Sequence, residues 1–264
     1  MDMQLTDRRA LITGSTSGIG YAIARGLAAE GAKVFLTGRT QARVEAALAK
    51  LKKEIPDAKA EGVAADCASV EGAEKVFSQA PDIDILVNNL GIYERKWFLK
   101  IPDEDWTRLF EVNVMSGVRF SRFYAPGMVE RKWGRIIFVS SESALNIPTE
   151  MIHYGVSKTA QLSISRGLAA DLGGTGVTVN ALLPGPTRTE HSDRLREERA
   201  KSAGITMSQL EQQFFEKYRP SSILKRFADA DEVAPLAVYL CSPLSALTTG
   251  AALRVEGGIV NQIT

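Results

Sequence analysis

The sequence has few cysteines, no long apolar run and no excess of charge of either sign. Cys67 and Cys241 are too few and too far apart to indicate a disulfide framework or a metal site. No apolar run approaches the ~20 residues that a membrane-spanning helix needs, and the first residues contain no apolar signal region. A formal net charge of +1 creates no field that would attract nucleic acid or an anionic membrane. We therefore expect a cytoplasmic protein without a nucleic-acid, membrane or metal partner.

The composition is that of a globular protein with a sizeable core. Hydrophobic residues make up 45% of the 264 residues and charged residues 24%, the ordinary balance of a folded domain. Neither a linker nor a shift in composition divides the chain. We therefore expect residues 1–264 to form a single domain.

Short apolar runs alternate with helical patterns along the whole chain. The runs predict strands that are covered on both faces, at 10–13, 32–37, 59–65, 83–87, 135–140, 177–182 and 251–255. The patterns between them predict helices at 19–30, 41–54, 70–79, 103–131, 154–172 and 231–241. This alternation favours a doubly wound α/β domain, with a seven-stranded, mostly parallel sheet between two layers of helices.

One segment, 189–224, interrupts this alternation. It is charged, it contains Gly204, and it predicts two short helices, the second of which covers 209–217 after a cap at Thr206 or Ser208. Such a segment is either surface decoration or a lid over a bound ligand. We favour the lid, because the segment follows the carboxyl end of a strand, where open α/β sheets bind ligands.

A glycine-rich loop follows the first predicted strand and opens the first predicted helix. Glycines in such a loop allow a tight turn, a close approach of the backbone to a pyrophosphate, and close packing of helix on strand. The helix start then offers unpaired N–H groups to phosphates, although a tight strand–helix turn alone would also need glycines. The residues expected to contact a dinucleotide are those of this loop and the first helical turn, Gly14, Ser15, Ser17, Gly18, Ile19 and Gly20.

The end of the second predicted strand bears on the choice between NAD and NADP. NAD sites usually place Asp or Glu there to bind the ribose 2′-hydroxyl. This sequence has Gly38 and Arg39 instead, and its next acidic residue is Glu45. A 2′-phosphate would fit at Gly38 and pair with the guanidinium, although a solvated arginine is also common in such loops. The pattern favours NADP(H) over NAD(H).

Tyr154 and Lys158 are four residues apart on a predicted helix, so their side chains share one face. An ammonium beside a phenol favours the phenolate, and a tyrosine with a lowered pKa is suited to general acid and base catalysis. A Tyr–Lys pair at this spacing is common on helices. Its position is more telling, because Ser141 ends the preceding strand 13 residues before Tyr154.

These motifs, taken in order, resemble those of the short-chain dehydrogenase/reductase family. The resemblance is carried by the glycine loop, Asn88-Asn89-Leu90-Gly91, the Ser–Tyr–Lys set, and Pro184-Gly185-Pro186-Thr187-Arg188-Thr189. It covers essentially the whole chain, except for the detail of 189–224. It implies a Rossmann fold and hydride transfer between NADP(H) and the carbonyl or secondary alcohol of a small substrate. Family members of this length include 3-oxoacyl-carrier-protein reductases.

The resemblance implies four catalytic residues. Ser141 and Tyr154 would bind the substrate carbonyl, and Tyr154 would give its proton to the forming alkoxide. Lys158 would lower the pKa of Tyr154 and bind the hydroxyls of the nicotinamide ribose. Asn113 would hold a water that connects Lys158 to solvent.

The resemblance also implies contacts beyond the glycine loop and the catalytic pair. Positions that border the adenosine or the nicotinamide in the family correspond to Asp66, Asn89, Gly91, Pro184, Gly185, Thr187 and Thr189. Positions that line the substrate pocket correspond to Tyr93, Ser143, Ile147 and Leu183. Of two polar neighbours, we expect Glu142 to be solvated or paired, and His153 to form part of the pocket wall.

The main alternative to an enzyme is a regulatory protein that binds NADP(H) without catalysis. Such proteins typically lose the catalytic tyrosine or lysine, whereas this sequence retains both. Family members are often homotetramers, so we expect a homo-oligomer, either a tetramer or a dimer.

Overall fold

The structure, a computed structural model, describes residues 2–263, with His191 described by its backbone alone. Its strands are β1 (Arg9–Ile12), β2 (Lys33–Gly38), β3 (Ala60–Ala64), β4 (Ile85–Asn88), β5 (Gly134–Val139), β6 (Val177–Pro184), β7 (Thr187–Arg188), β8 (Ala228–Asp229) and β9 (Ala252–Val255). The main sheet has the order β3-β2-β1-β4-β5-β6-β9, and every neighbouring pair is parallel. The predicted doubly wound, seven-stranded sheet is therefore confirmed, with strand bounds that differ by at most two residues.

Helices cover both faces of this sheet. They are α1 (Gly18–Ala29), α2 (Gln41–Glu54), α3 (Val70–Gln79), α4 (Asp103–Phe110), α5 (Ser116–Glu130), α6 (Ile152–Asp171), α7 (Glu190–Ala203), α8 (Met207–Lys217) and α9 (Ala230–Cys241). One hydrophobic core joins α1, α2 and α9 to the sheet, and a second joins α3, α5 and α6 to its other face. Because both faces are covered, the inner strands are mostly buried and apolar. No helix within residues 2–263 is both long and apolar enough to cross a membrane.

The helix predicted over 103–131 has an irregular middle. A π-helical turn, Glu111–Met115, joins α4 to α5. Such turns are rare overall, but many of those that occur lie at functional sites, because the extra residue changes where the neighbouring side chains point. Here the turn contains Asn113, whose side chain is fully buried.

The segment 189–224 contains the two short helices that its sequence predicts. Both begin with a capping box, at Thr189 with Ser192 and at Thr206 with Gln209, so Thr206 rather than Ser208 caps the second helix. The first helix ends at Gly204, whose φ of 64° is left-handed. At the base of the segment, β7 and β8 pair in a small parallel sheet that the sequence analysis did not predict.

Candidate active site

A cavity of about 380 Å³ opens at the carboxyl ends of the strands of the main sheet. Residues that follow β1, β4, β5 and β6 form its walls. Because β1 lies between β2 and β4, the cavity includes the point where the strand order reverses, which is where doubly wound sheets bind ligands. Its volume lies within the usual range of small-molecule sites, about 300–1,000 Å³.

Most of the residues singled out from the sequence lie on the wall of this cavity. Those on the wall are Ser17, Gly18, Ile19, Gly20, Asn89, Gly91, Tyr93, Ser141, Ser143, Tyr154, Lys158, Pro184, Gly185, Thr187 and Thr189. Those that the structure does not place on the wall are Gly14, Ser15, Arg39, Asp66, Asn113, Ile147 and Leu183.

The glycine loop is held against β4 by Asn89. The Asn89 amide donates hydrogen bonds to the carbonyls of Thr13 and Gly14, at 2.9 and 3.1 Å. Gly14 and Gly18 have positive φ values of 63° and 59°, which other residues rarely adopt. A Cβ atom on Gly20 would lie 2.5 Å from the Asn89 amide nitrogen, so only glycine fits there.

The start of α1 presents free N–H groups to the cavity. The first amides of any helix lack an intrahelical acceptor, and those of Gly18, Ile19 and Gly20 lie on the cavity wall. Ser17, at the N-cap, makes no side-chain cap hydrogen bond to them. This end of the cavity therefore suits a phosphate or diphosphate group.

Ser15 is turned away from the cavity and into the sheet. Its hydroxyl donates to the Ile12 carbonyl at 2.7 Å and accepts from the Thr37 amide at 2.9 Å. Its backbone amide donates to the Thr37 carbonyl. Ser15 thus fixes the loop between β1 and β2.

Arg39 and Asp66 lie on the surface beyond the cavity wall. Arg39 is exposed, and within residues 2–263 its side chain forms neither a hydrogen bond nor an ion pair. Glu45, the nearest acidic residue in the following helix, accepts a hydrogen bond from Gln41 at 2.9 Å. Asp66 is exposed and accepts a hydrogen bond from the Ala68 amide within its own loop.

Tyr154 and Lys158 occupy the first turns of α6, and the lysine amine is held by the sheet. Lys158 Nζ donates to the Val139 carbonyl at 2.9 Å and to Gln161 Oε1 at 3.1 Å. It lies 5.7 Å from the centre of the Tyr154 ring. The two groups therefore share one wall, with the amine directed towards β5.

The pKa values of this pair are set by burial. Burial raises the pKa of Tyr154 to about 12, although the neighbouring Ser141 hydroxyl acts in the opposite direction. Burial lowers the pKa of Lys158 to about 7. Burial therefore dominates both pKa values, and the lowering of the Tyr154 pKa by Lys158 stays a prediction.

Ser141 follows β5 and begins a short 3₁₀ turn. Its Oγ accepts a hydrogen bond from the Ser143 amide at 3.1 Å. The side chain is 8% exposed and lies on the cavity wall. The hydroxyl proton is therefore available to an acceptor in the cavity.

Asn113 connects three elements around Lys158. Its side chain accepts from the Ile92 amide at 2.7 Å and donates to the Ile92 carbonyl and to Ser157 Oγ, both at 2.9 Å. Gln161, which the sequence analysis did not single out, donates to the Asn113 carbonyl at 2.6 Å and accepts from Lys158. The water that we expected Asn113 to hold stays a prediction.

A buried ion pair closes the far side of the cavity. Arg219 Nε donates to Glu142 Oε1 at 2.8 Å, and Arg219 Nη1 lies 3.7 Å from Glu150 Oε1. All three side chains are buried. Burial raises the pKa of Glu142, and the Arg219 guanidinium opposes that rise. Of the two environments expected for Glu142, solvated or paired, the structure shows the paired one. Its partner, Arg219, is 77 residues away in the sequence.

The Arg219→Met variant should be strongly destabilised. The substitution leaves the Glu142 carboxylate buried without its counter-ion, a change that typically costs about 3–5 kcal/mol of the free energy of unfolding. Thermal unfolding followed by circular dichroism measures the effect. Arg226→Met is the matched control, because the Arg226–Glu232 pair is exposed and its loss should change the melting temperature little. Equal melting temperatures for the two variants would contradict a structural role for the buried pair.

Two of the predicted substrate contacts are on the wall, and two are not. Ser143 and Tyr93 line the cavity, with the Tyr93 ring 6.1 Å from the Tyr154 ring in an edge-on arrangement. Leu183 is fully buried within β6, and Ile147 packs over Gly155 outside the cavity.

His153 also lies off the cavity. It is 1% exposed and packs edge-on against Trp106, with ring centres 5.8 Å apart. The expectation that it forms part of the pocket wall is therefore wrong. As the residue next to Tyr154 on α6, it points to a different side of the helix.

Several wall residues had no local signal in the sequence. They come from the segment after β4, from the turn before α6 and from 189–227, namely Arg95, Met151, Ser192, Phe214, Arg219 and Phe227. Only the folded arrangement of these segments brings them to the cavity.

The fold is a parallel doubly wound sheet with a glycine loop at its switch point. A serine, a tyrosine and a lysine share one cavity wall beside it. These features define a class of oxidoreductases with a Rossmann fold. The short chain dehydrogenase family profile matches residues 8–200. The chain belongs to this family of enzymes.

Relatives of the chain match it over its full length. It is 44% identical over 263 residues to YvaG, an uncharacterised oxidoreductase of Bacillus subtilis (strain 168), with all of both chains covered. It is 32% identical to the 3-oxoacyl-[acyl-carrier-protein] reductase of Aquifex aeolicus (strain VF5), covering 98% of this chain and 100% of the relative. The structure of L-sorbose reductase from Gluconobacter frateurii, complexed with NADPH and L-sorbose, superposes with a TM-score of 0.93 at 34% identity, with all of both chains covered.

Proposed function

We propose that the protein transfers a hydride between NADP(H) and the carbonyl or secondary alcohol of a small substrate, with Tyr154 as the general acid and base. One observation carries the proposal. Ser141, Tyr154 and Lys158 lie on the wall of the same cavity whose other end is the glycine loop. The related L-sorbose reductase, complexed with NADPH and its sugar, supports this reaction class.

The residues present fit a dinucleotide cofactor. The free amides of Gly18, Ile19 and Gly20 would hold its diphosphate, next to a loop that admits no side chain at Gly20. The segment from Pro184 to Thr189, which also lines the cavity, would border the nicotinamide.

The cofactor's phosphate on the adenosine ribose would be bound by Arg39. The Arg39 guanidinium is exposed at the carboxyl end of β2 and has no partner within residues 2–263. A Cβ atom on Gly38 would lie 2.5 Å from the Thr16 side chain, so only glycine fits at this strand end. No carboxylate at this strand end would repel a phosphate.

The chemistry then divides between the cofactor and three side chains. When bound, the nicotinamide supplies the hydride that the carbonyl carbon receives. Ser141 donates a hydrogen bond to the substrate oxygen, which stabilises the negative charge that develops there. Tyr154, whose pKa of about 12 keeps it protonated at neutral pH, donates its proton to the same oxygen. Lys158 in its protonated form, with Nζ 5.7 Å from the ring centre, stabilises the tyrosinate that remains.

Residues 189–224 are proposed to form a lid over the substrate. Thr189, Ser192, Phe214 and Arg219 from this segment line the cavity. The base of the segment is attached to the body by the β7–β8 pair, and α8 is tied to that base by the hydrogen bond from the Phe227 amide to Glu211. Movement would therefore centre on α7, which precedes α8 in the segment.

Exchanging Arg39 should weaken the preference for NADPH over NADH. Arg39→Gln removes the charged partner of the 2′-phosphate, so we expect the ratio of the two dissociation constants to fall about tenfold or more. Titration of each cofactor, followed by its fluorescence, measures the ratio. Lys52→Gln is the matched control, because it removes one exposed charge from the far end of α2. An unchanged ratio in Arg39→Gln, or a wild-type preference for NADH, would contradict the assignment of Arg39.

Turnover of carbonyl compounds tests the proposed function itself. Ketones, oxo-esters and sugars are supplied with NADPH, and loss of the NADPH absorbance is followed. We expect turnover of at least one of these classes. Tight NADPH binding without turnover of any class would instead favour a regulatory protein.

We also propose that the protein is a homo-oligomer and that it is located in the cytoplasm, as expected from the sequence. Size-exclusion chromatography with light scattering tests the first, and a monomer would remove it. Fractionation of cells that express the protein tests the second.

A further inference from the structure

Two arginines line the lid side of the cavity, and only one of them has an acidic partner. Arg219 is paired with Glu142 and lies near Glu150. The Arg95 guanidinium, by contrast, forms neither an ion pair nor a hydrogen bond with any residue in the described range of 2–263. It is partly buried, lying 4.9 Å from the ring centre of Tyr218 and 5.5 Å from that of Phe214. The cavity therefore contains an uncompensated cation.

The charges around Arg95 do not neutralise it. Burial lowers the pKa of Arg95, and the positive charges of Arg199 and Arg219 act in the same direction. Only Glu150 and Tyr218 oppose them, and neither is within ion-pair distance of the guanidinium. Withdrawing a cation from water without an anion costs free energy, so the site favours a ligand that brings a negative charge.

The aromatic contacts leave the hydrogen-bonding edge of Arg95 free. Neither ring offers a conventional hydrogen-bond acceptor, and the N–H groups of a guanidinium lie in its plane and point outward at the edge. Two parallel N–H groups at that edge match the two oxygens of a carboxylate. Phe214 and Tyr218 thus lie beside the Arg95 guanidinium, while its N–H donors have no hydrogen-bond acceptor within residues 2–263.

Arg95 is also close to the reacting groups. Its charge acts on the neighbouring Tyr93 hydroxyl, where it opposes the burial that raises the pKa of Tyr93. The Tyr93 ring in turn contacts the edge of Tyr154, with ring centres 6.1 Å apart. Arg95 and the proposed proton donor, Tyr154, thus both neighbour Tyr93 on the wall of one cavity.

We propose that the substrate is a small oxo acid, or the corresponding hydroxy acid, whose carboxylate pairs with Arg95 while its carbonyl is bound by Ser141 and Tyr154. This inference rests on the proposed function and specifies its substrate class. In the reduction, the carbonyl carbon gains a hydride, its oxygen gains the Tyr154 proton, and the carboxylate is unchanged. One small molecule would carry both groups, since Arg95, Ser141 and Tyr154 all line the same cavity of about 380 Å³.

Matched pairs of substrates test the inference. Each pair consists of an oxo acid and its primary amide, which differ in charge. The two acids are 3-oxobutanoate and 4-oxopentanoate. For the wild type we expect kcat/KM to favour the acid of at least one pair by about 10- to 100-fold, the range of a charged hydrogen bond. Arg95→Gln should remove this preference and leave the amide nearly unaffected, whereas Arg95→Lys should keep part of it. Lys217→Gln is the control, because Lys217 also lies over the Tyr218 ring but not on the cavity wall.

A binding measurement separates this inference from the proposed function. Isothermal titration of the NADPH-bound protein with butanoate and pentanoate, compared with their amides, requires no turnover. Weaker binding of the carboxylates to Arg95→Gln supports the inference even if no carbonyl is reduced, in which case the proposed function alone fails. Equal kcat/KM for acid and amide in the wild type, together with carboxylate binding that Arg95→Gln does not change, would overturn the inference and leave the reductase standing.

Discussion

Tyr154→Phe is expected to lose turnover by about 100- to 10,000-fold while its affinity for NADPH stays near that of the wild type. The substitution removes one hydroxyl and keeps the ring. The ring keeps its edge contact with Tyr93, and the amine of Lys158 keeps its bonds to Val139 and Gln161, since none of these involves the hydroxyl. Only the proton donor is lost.

Steady-state reduction of a carbonyl substrate and fluorescence titration of NADPH measure the two quantities separately. Tyr93→Phe is the matched control, because it removes a hydroxyl from the same wall of the cavity, and we expect its turnover to stay close to that of the wild type. Wild-type turnover in Tyr154→Phe would mean that another group donates the proton, and the proposed mechanism would be wrong.

Lys158→Met should damage both turnover and cofactor binding. Without the ammonium, the tyrosinate formed in the reaction loses its stabilising charge, and we expect turnover to fall by about 100-fold or more. Lys158 also lines the cavity and is expected to bind the hydroxyls of the nicotinamide ribose, so its loss should weaken NADPH binding about tenfold. This dual loss distinguishes Lys158 from Tyr154.

Gln161→Leu provides the comparison for Lys158→Met. It removes one of the two hydrogen-bond acceptors of the lysine amine but keeps the amine itself and its bond to Val139. We expect smaller losses than for Lys158→Met in both measurements. If Lys158→Met bound NADPH as tightly as the wild type, the lysine would serve the tyrosine alone.

The fold was predictable because its signals are local. Continuous apolar runs mark strands that are covered on both faces, and the helices between them begin at recognisable caps, such as Thr206. The π-helical turn at Glu111–Met115 was not predictable, since the apolar spacing of α4 continues into α5. Its geometry depends on the contacts that Asn113 makes with the loop after β4 and with α6.

The meeting of the residues proposed as catalytic was predictable for a different reason. Ser141, Tyr154 and Lys158 lie close together in the sequence, so motif spacing alone indicates that they meet. Arg95 and Arg219 reach the cavity only through the folded positions of distant segments, and no spacing links Arg219 to Glu142. The rise in the pKa of Tyr154 could not be predicted from the sequence either, because it depends on how completely the folded protein excludes water.

The most direct test of the account follows the transferred hydrogen. The wild-type protein is incubated with a carbonyl substrate and with NADPH in which deuterium replaces both hydrogens at C4 of the nicotinamide. The product is analysed by mass spectrometry and NMR. The account predicts one deuterium on the carbon of the new alcohol, and almost none with Tyr154→Phe over the same time. A product that contains no deuterium would contradict hydride transfer as the function of this site. Tight NADPH binding without any product would contradict it as well.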